Sequence, residues 1–392
     1  MRISLTAKTF GEAEIEEVIE SLRSGNVTMG AKCRAFEQAF AARLKARHAI
    51  FVNSGSSANL LAWFALANPL MKCSRAPLKP GFEVIVPAVA WSTTIWPIVQ
   101  AGGVPVLVDC DPATLAIRPD LVAAAVTPAT VAVSPVHPLG NVCDMDTLAD
   151  ICGRRDLYLI EDTCEALGSL YKGREAGRFG LMGTYSFYYS HHITTVEGGM
   201  IVTDDDDLAA LLRVLRSHGW AREVTPATGP VPFAERYRFI NTGFNLRPSE
   251  LNAAFGLHQL ARLDDLNANR RSATQALCLR LEPHVKAGRL RLMTVTAGGD
   301  AAFFGFPALC RNGDERDRLV RHLEARGVET RPIICGNMAR QPAMQHVRHR
   351  VAGPLLGADE IMFKGLYWGM HPSFGEAEID YIADVIEEFS WS

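Results

Sequence analysis

The stretch Ser186-Phe-Tyr-Tyr-Ser-His191-His192-Ile-Thr-Thr-Val-Glu-Gly-Gly199 sets two adjacent imidazoles among turn residues. Imidazole is the side chain whose ordinary pKa lies nearest neutrality, so His191 is suited to moving a proton. Two plainer readings compete: a solvated polar turn, or half of a metal site. Metal ligation needs a third ligand at a spacing such as His-Glu-x-x-His, which this sequence lacks, so no metal is expected.

Other segments carry complementary chemistry. Asn53-Ser-Gly-Ser-Ser-Ala-Asn59 follows the apolar Ala49–Val52 and precedes a helical pattern. Ser56 and Ser57 would there present amides and hydroxyls at a helix N-terminus, which favours phosphate, although plain capping uses the same residues. Glu161-Asp162-Thr-Cys-Glu165 closes an apolar run read as a buried parallel strand, and ligands of such sheets sit at strand C-terminal ends. An exposed acidic turn is the alternative. Trp91, in Pro87-Ala-Val-Ala-Trp91-Ser-Thr-Thr94, is either a core residue or a stacking surface. Ser217-His-Gly-Trp-Ala-Arg222 brings His218 and Arg222 into a Gly-hinged turn, where the guanidinium fork suits a diphosphate and a solvated loop is nearly as good an explanation.

These residues need a scaffold, and the first 250 residues alternate short β-rich apolar runs with helical patterns, the signature of βαβ units. Strands are expected at Phe82–Pro87, Val104–Asp109, Val131–Ser134, Leu157–Glu161, Tyr185–Tyr189 and Met200–Thr203, with helices including Ala58–Leu66 and Met145–Cys152. The Pro- and Gly-rich stretch 225–232 reads as a long surface loop. Helical spacing from Pro248 to about Leu266 leads into a second helix bearing Arg270, Arg271, Leu277 and Leu281. Beyond it, strands at Leu290–Met293, Phe303–Phe306 and Thr330–Ile334 and helices at Asp314–Arg326 and Ala377–Phe389 describe a small α/β unit. The expected division is 1–250 for a large domain and 251–392 for a small one.

At 392 residues, 48% hydrophobic and 21% charged, the chain can build two substantial cores. A net charge of -3, without arginines interleaved with aromatics, offers no face for nucleic acid. No apolar run is long enough to span a membrane and no signal peptide is evident, so a cytoplasmic location is expected. Nine dispersed cysteines, with no Cys-x-x-Cys, read as free thiols in a reducing compartment. Only Cys278, Cys310 and Cys335 follow His191, a spacing that argues against an iron–sulfur cluster and a radical route through one.

The segment around His191 resembles the active-site segment of the DegT/DnrJ/EryC1 sugar aminotransferases, fold type I pyridoxal-phosphate enzymes. Their pattern is Ser-Phe-x-x-x-Lys-x-x-x-x-x-Glu-Gly-Gly, with lysine where this chain has His191. The likeness runs in order through Val27-Thr-Met-Gly30, Val52–Ser57, Pro87–Thr94, Gly180–Gly183, Tyr189–Ile193, Arg216–Trp220, Asn245–Pro248 and Arg331–Asn337. Within the family, the His-His turn is similar to that of nucleotide-sugar 3-dehydratases.

The resemblance implies an aspartate aminotransferase-like α/β fold: a large, mostly parallel sheet domain followed by a small C-terminal α/β domain. It implies pyridoxamine 5'-phosphate or pyridoxal 5'-phosphate held without a covalent bond, since imidazole cannot form the lysine's Schiff base. No lysine lies between Lys172 and Lys286 to substitute. By the same resemblance, Asp162 pairs with the ring nitrogen and Glu165 lies near the ring. Trp91 stacks on it, and Ser56, Ser57 and Ser186 hold the phosphate. Asn245 reaches that phosphate from a neighbouring subunit, which requires a homodimer with shared sites. Arg247 in the same motif would instead hold its loop through salt bridges. Met29, Gly30, His218 and Arg222 lie near the sugar nucleotide. The implied reaction is loss of the C3 hydroxyl from a GDP-4-keto-6-deoxyhexose of the mannose type, with L-glutamate as amino donor. A CDP- or dTDP-sugar dehydratase, a sugar aminotransferase and a silent cofactor-binding protein remain as alternatives.

Overall fold

Alternate residues of each central strand enter different cores, which is why the strands read as continuous apolar runs. In the computed structural model, which describes residues 1–72, 75–224 and 232–391, Val84 and Val86 join one cluster while Ile85 joins another. Tyr158 and Ile160 likewise part from Leu159. Both faces of the sheet are therefore buried, as a parallel sheet under helices requires. Of the expected loop 225–232, only Pro232 is among the described residues.

The strands of this sheet are β1 (His48–Val52), β2 (Glu83–Pro87), β3 (Val104–Val108), β4 (Thr130–Val133), β5 (Tyr158–Asp162), β6 (Met182–Ser186) and β7 (Gly199–Thr203). They lie in the order β1-β7-β6-β5-β4-β2-β3, and Arg350–Val351 forms the far edge. Strand β7 is antiparallel to both β1 and β6, and the remaining pairs are parallel. All strands but β7 thus end on one side. The segments after β1, β2, β5 and β6, which contain Ser56, Trp91, Glu165 and His191, converge there.

A second, antiparallel sheet orders Leu290–Leu292, Gly305–Cys310, Gly365–Gly369 and Thr330–Arg331. Its core holds Leu277, Leu281, Leu319, Trp368 and Ile382. Ser249 caps helix Glu250–Ala261, whose Ala253 and Leu260 pack in the core with Phe36, Phe51 and Tyr185. Helix Leu263–Lys286 then carries the chain between cores, with Leu263 and Leu266 in one and Leu277 and Leu281 in the other. Ile3 joins the C-terminal core, and Arg350–Val351 joins the large sheet, so each lobe receives a segment from the opposite end of the chain.

Three expected strands shift. The strand expected over Tyr185–Tyr189 ends at Ser186, because Tyr188 and Tyr189 are exposed and lie in the loop toward β7. His191 therefore sits in a loop of twelve residues, 187–198, rather than a tight turn. The strand placed at Phe303–Phe306 begins at Gly305 and runs on to Cys310. That expected at Thr330–Ile334 stops at Arg331, before Pro332, which has no N–H to give a ladder.

Candidate active site

A cavity of about 380 Å³ opens where those segments converge. Ser56, Trp91, Asp162, Glu165, Ser186 and His191 all line it. Helix Gly55–Leu66 points its N-terminus at the cavity, and Gly55 permits the approach: a Cβ there would lie 2.5 Å from the Ser186 Cβ. Ser57 departs from its expected role. Its amide donates to Ser54 Oγ at 3.1 Å, so it serves the N-cap and is buried away from the lining. The cap itself is Ser54, and Gly55, Ser56 and Ser186 line the cavity with the character of an anion cradle.

Asp162 is 5% exposed and accepts hydrogen bonds from Asn59 Nδ2 (2.9 Å) and Thr94 Oγ1 (2.7 Å) on one oxygen and from the Cys164 amide (3.2 Å) on the other. Asn59 is itself held by Thr184 Oγ1 at 2.6 Å. All these donors are neutral, and no arginine or lysine forms an ion pair with Asp162 among the described residues. A buried carboxylate without a cation fits a protonated ring nitrogen. Trp91 is 57% exposed at the cavity wall, so it is not a core residue and its face is available for stacking. The residues thus fit a flat, phosphorylated pyridine. Neighbouring Glu161 is structural: fully buried, it accepts from the amides of Gly177, Phe179 and Gly180 and meets His137.

His191 donates from Nδ1 to the Cys164 carbonyl at 2.6 Å, which leaves Nε2 as the nitrogen open to chemistry. Burial lowers its pKa to about 4; the Cys164 carbonyl and Asp162 oppose that shift and Arg270 adds to it. The near-neutral pKa expected from the residue type is thereby corrected: His191 is a neutral, weak base whose conjugate acid is strong. Glu165 shows the opposite response. Burial pushes its carboxyl up to about 7, Asp162 adds to the rise, and the Leu139 amide, donating at 2.9 Å, opposes it.

Met29, Gly30, His218, Arg222 and Asn245 lie outside this cavity's lining. Met29, Gly30 and Arg222 line a separate cavity of about 750 Å³. Arg222 lays its guanidinium 3.4 Å from the Trp220 ring centroid. His218, with a positive φ of 62°, meets Arg247 Nη2 at 3.3 Å, and Arg247 Nε donates to Asn245 Oδ1 at 3.1 Å. Arg247 thus holds its loop by hydrogen bonds, and Asn245 is exposed outside the 380 Å³ cavity.

Thr94, Cys164, Tyr188, Glu197, Phe304, Ile334 and Tyr367 also line the cavity without having been singled out. Thr94 closes the Trp91 motif and Asn59 closes the serine motif, so both were legible as polar residues one turn beyond a recognised group. Phe304, Ile334 and Tyr367 come from the C-terminal lobe; Ile334 lies in the Arg331–Asn337 segment of likeness, and the other two carry no local signal.

The profile of the DegT/DnrJ/EryC1/StrS aminotransferase family matches residues 8–387, and the chain belongs to that family. It is 38% identical to dTDP-4-dehydro-2,6-dideoxy-D-glucose 3-dehydratase of Saccharopolyspora spinosa, over 95% of this chain and 83% of that one. It is 36% identical to GDP-4-keto-6-deoxy-D-mannose 3-dehydratase of Escherichia coli O55:H7, over 98% and 99%. A crystal structure of GDP-4-keto-6-deoxymannose-3-dehydratase with a trapped PLP-glutamate geminal diamine superposes with a TM-score of 0.91 at 35% identity, covering 98% of this chain and all of that one.

Proposed function

We propose that this chain is a nucleotide-sugar 3-dehydratase that uses pyridoxamine 5'-phosphate without covalent attachment. It removes the C3 hydroxyl of a GDP-4-keto-6-deoxyhexose of the mannose type, and L-glutamate restores the amine form with release of 2-oxoglutarate. The observation that carries this reading is an imidazole at the family's lysine position, in a cavity that retains Asp162, Trp91, Ser56 and Ser186 and has no lysine in its lining.

The bound cofactor supplies an amine for the C4 ketone and a ring that takes up electrons. Asp162, fixed by Asn59 and Thr94, holds the proton on the ring nitrogen. Trp91 would cover the ring face. Nε2 of His191 would take a proton from the cofactor's methylene carbon, and the imidazolium would give it to the departing C3 oxygen. A conjugate acid with a pKa near 4 hands over that proton readily. Without a lysine to recapture the cofactor, expulsion of the hydroxyl competes successfully with amino transfer, and ammonia leaves on hydrolysis.

Asn245, exposed in this chain, supports a homodimer in which it reaches the neighbour's phosphate, with Met29, Gly30, His218 and Arg222 toward the sugar nucleotide. No described helix is long and apolar enough to cross a membrane, in keeping with a cytoplasmic biosynthetic role. A dTDP-sugar is the second reading, favoured by the 38% identity to the Saccharopolyspora enzyme. Incubation with pyridoxamine phosphate, glutamate and GDP-, dTDP- or CDP-4-keto-6-deoxyhexoses tests both. Loss of oxygen from the sugar with ammonia release, fastest with GDP, is expected. Retention of glutamate nitrogen on the sugar would overturn dehydration in favour of amino transfer.

A further inference from the structure

His192 is fully buried beside His191, and the reaction above gives it no task. Its Nε2 lies 2.7 Å from the Ala302 carbonyl. A carbonyl only accepts, so Nε2 carries the proton and Nδ1 is bare, and Nδ1 is buried without a partner. The adjacent histidines are thus held as opposite tautomers, His191 by Cys164 and His192 by Ala302. An imidazole with one nitrogen unsatisfied carries a desolvation cost that an apolar side chain at this position would not.

The Ala302–Phe304 segment belongs to the C-terminal lobe and is tied down beside the cavity. The Ala302 amide donates to Ser169 Oγ at 2.9 Å, and Ser169 Oγ donates to the Gly140 carbonyl at 2.7 Å. The Phe304 amide donates to the Leu139 carbonyl at 3.0 Å, and Arg270 holds the Phe303 carbonyl at 3.3 Å. Leu139 takes the left-handed conformation, φ 47°, and Gly140, φ 95°, leaves no room for a Cβ, which would lie 2.0 Å from the Ala302 oxygen. Strained backbone of this kind persists where its surroundings over-determine it. The Phe304 ring lies 5.1 Å from the His191 ring and 6.1 Å from that of His192.

We infer that His192 is a positioning residue: its bond to the Ala302 carbonyl seats Phe304 against the His191 ring and so fixes Nε2 of His191 over the cavity. This rests on His191 being the working base. The same bond ties the His191 loop to the C-terminal lobe, so the lobes must be docked for the base to be aligned.

The test uses full-length protein labelled with ¹⁵N-histidine, with and without pyridoxamine phosphate, the His191 signal being assigned by its loss in His191→Asn. Wild type should show an Nδ1–H tautomer for His191 and Nε2–H for His192. In His192→Leu, the His191 signal should move to a tautomer mixture and titrate at least one pH unit higher. Its kcat should fall tenfold or more, with KM for the sugar within twofold. His192→Gln, whose amide nitrogen reaches as far as Nε2, should recover most of the rate. Phe304→Leu, which leaves His192 in place, should reproduce the His191 shift and decides the matter if His192→Leu does not fold. An unchanged His191 tautomer and titration in the folded variant would overturn the inference, even if melting temperature fell. Absence of turnover by wild type on any 4-keto sugar would instead defeat the dehydratase reading, and the tautomer comparison would still decide positioning.

Discussion

Replacing His191 by Asn isolates one nitrogen. The Asn Nδ2–H can take over the donation that Nδ1 makes to the Cys164 carbonyl at 2.6 Å, whereas nothing replaces Nε2. General acid–base catalysis by a placed side chain contributes roughly 10²–10⁴-fold, about 2.7–5.4 kcal/mol of transition-state stabilisation. His191→Asn should lose that factor in kcat while cofactor affinity and melting temperature stay near those of wild type. Single-turnover mixing of enzyme preloaded with pyridoxamine phosphate with the GDP-4-keto sugar keeps the glutamate half-reaction out of the measurement. The pH profile adds a second readout. With a pKa of about 4, His191 is a neutral base throughout the physiological range, so the wild-type rate owes no limb to it near pH 6 to 7. The rate should fall tenfold per pH unit only once the pH drops through about 4 to 5, as far as the fold survives. A rate within threefold of wild type, or an acid limb unchanged in the variant, would refute the assignment of Nε2 as the base.

His191→Lys should restore a covalent cofactor–lysine absorbance band, and a spectrum identical to free pyridoxal phosphate would count against the alignment of this position with the family's lysine. Asp162→Asn leaves the Thr94 and Asn59 donors in place but removes the only charge facing the ring nitrogen. A loss of roughly 10²–10³-fold in kcat is expected, and an equal change in KM alone would show that the charge serves binding. Stability should decline in acid through the buried histidines. Burial holds the His192 imidazole well below the ordinary histidine range, so as the pH falls through that range the unfolded chain takes up a proton that the folded chain refuses, and stability is lost. Urea unfolding at pH 7 and pH 5 should show this loss in wild type and a smaller one in His192→Gln; equal losses would refute it.

The parallel sheet was legible because strands buried on both faces write themselves as unbroken apolar runs, as Val104-Pro-Val-Leu-Val108 does. Strand ends were less so. Tyr188 and Tyr189 have strand propensity but no neighbouring strand to pair with, and tertiary context decided against them. The same limit applied within the site. Ser56, Trp91, Asp162, Glu165, Ser186 and His191 sit at or just after the ends of β1, β2, β5 and β6, in segments that the sequence motifs marked. Phe304 and Tyr367 reach the cavity only because the C-terminal lobe docks on it, which no local pattern encodes. Ser54 and Ser56 show why a serine run before a helix stays ambiguous in sequence: Ser54 caps the helix by accepting from the Ser57 amide, whereas Ser56 lines the cavity.

Electrostatic character was the least legible property, and it bears most on the reaction. Residue type alone gives His191 and Glu165 their ordinary pKa values, yet burial drives the imidazole down to about 4 and the carboxyl up to about 7. Both shifts favour the neutral form, beside an Asp162 carboxyl held by three neutral donors. On the proposed reading Asp162 would face the ring nitrogen, and His191 would serve the methylene side as a base that returns its proton quickly. A lysine at position 191 would bring a cation and a covalent tether to that same place. The two fates of one fold, transferring an amine or expelling a hydroxyl, therefore follow from whether the group beside Cys164 can bond to the cofactor or can only pass it a proton.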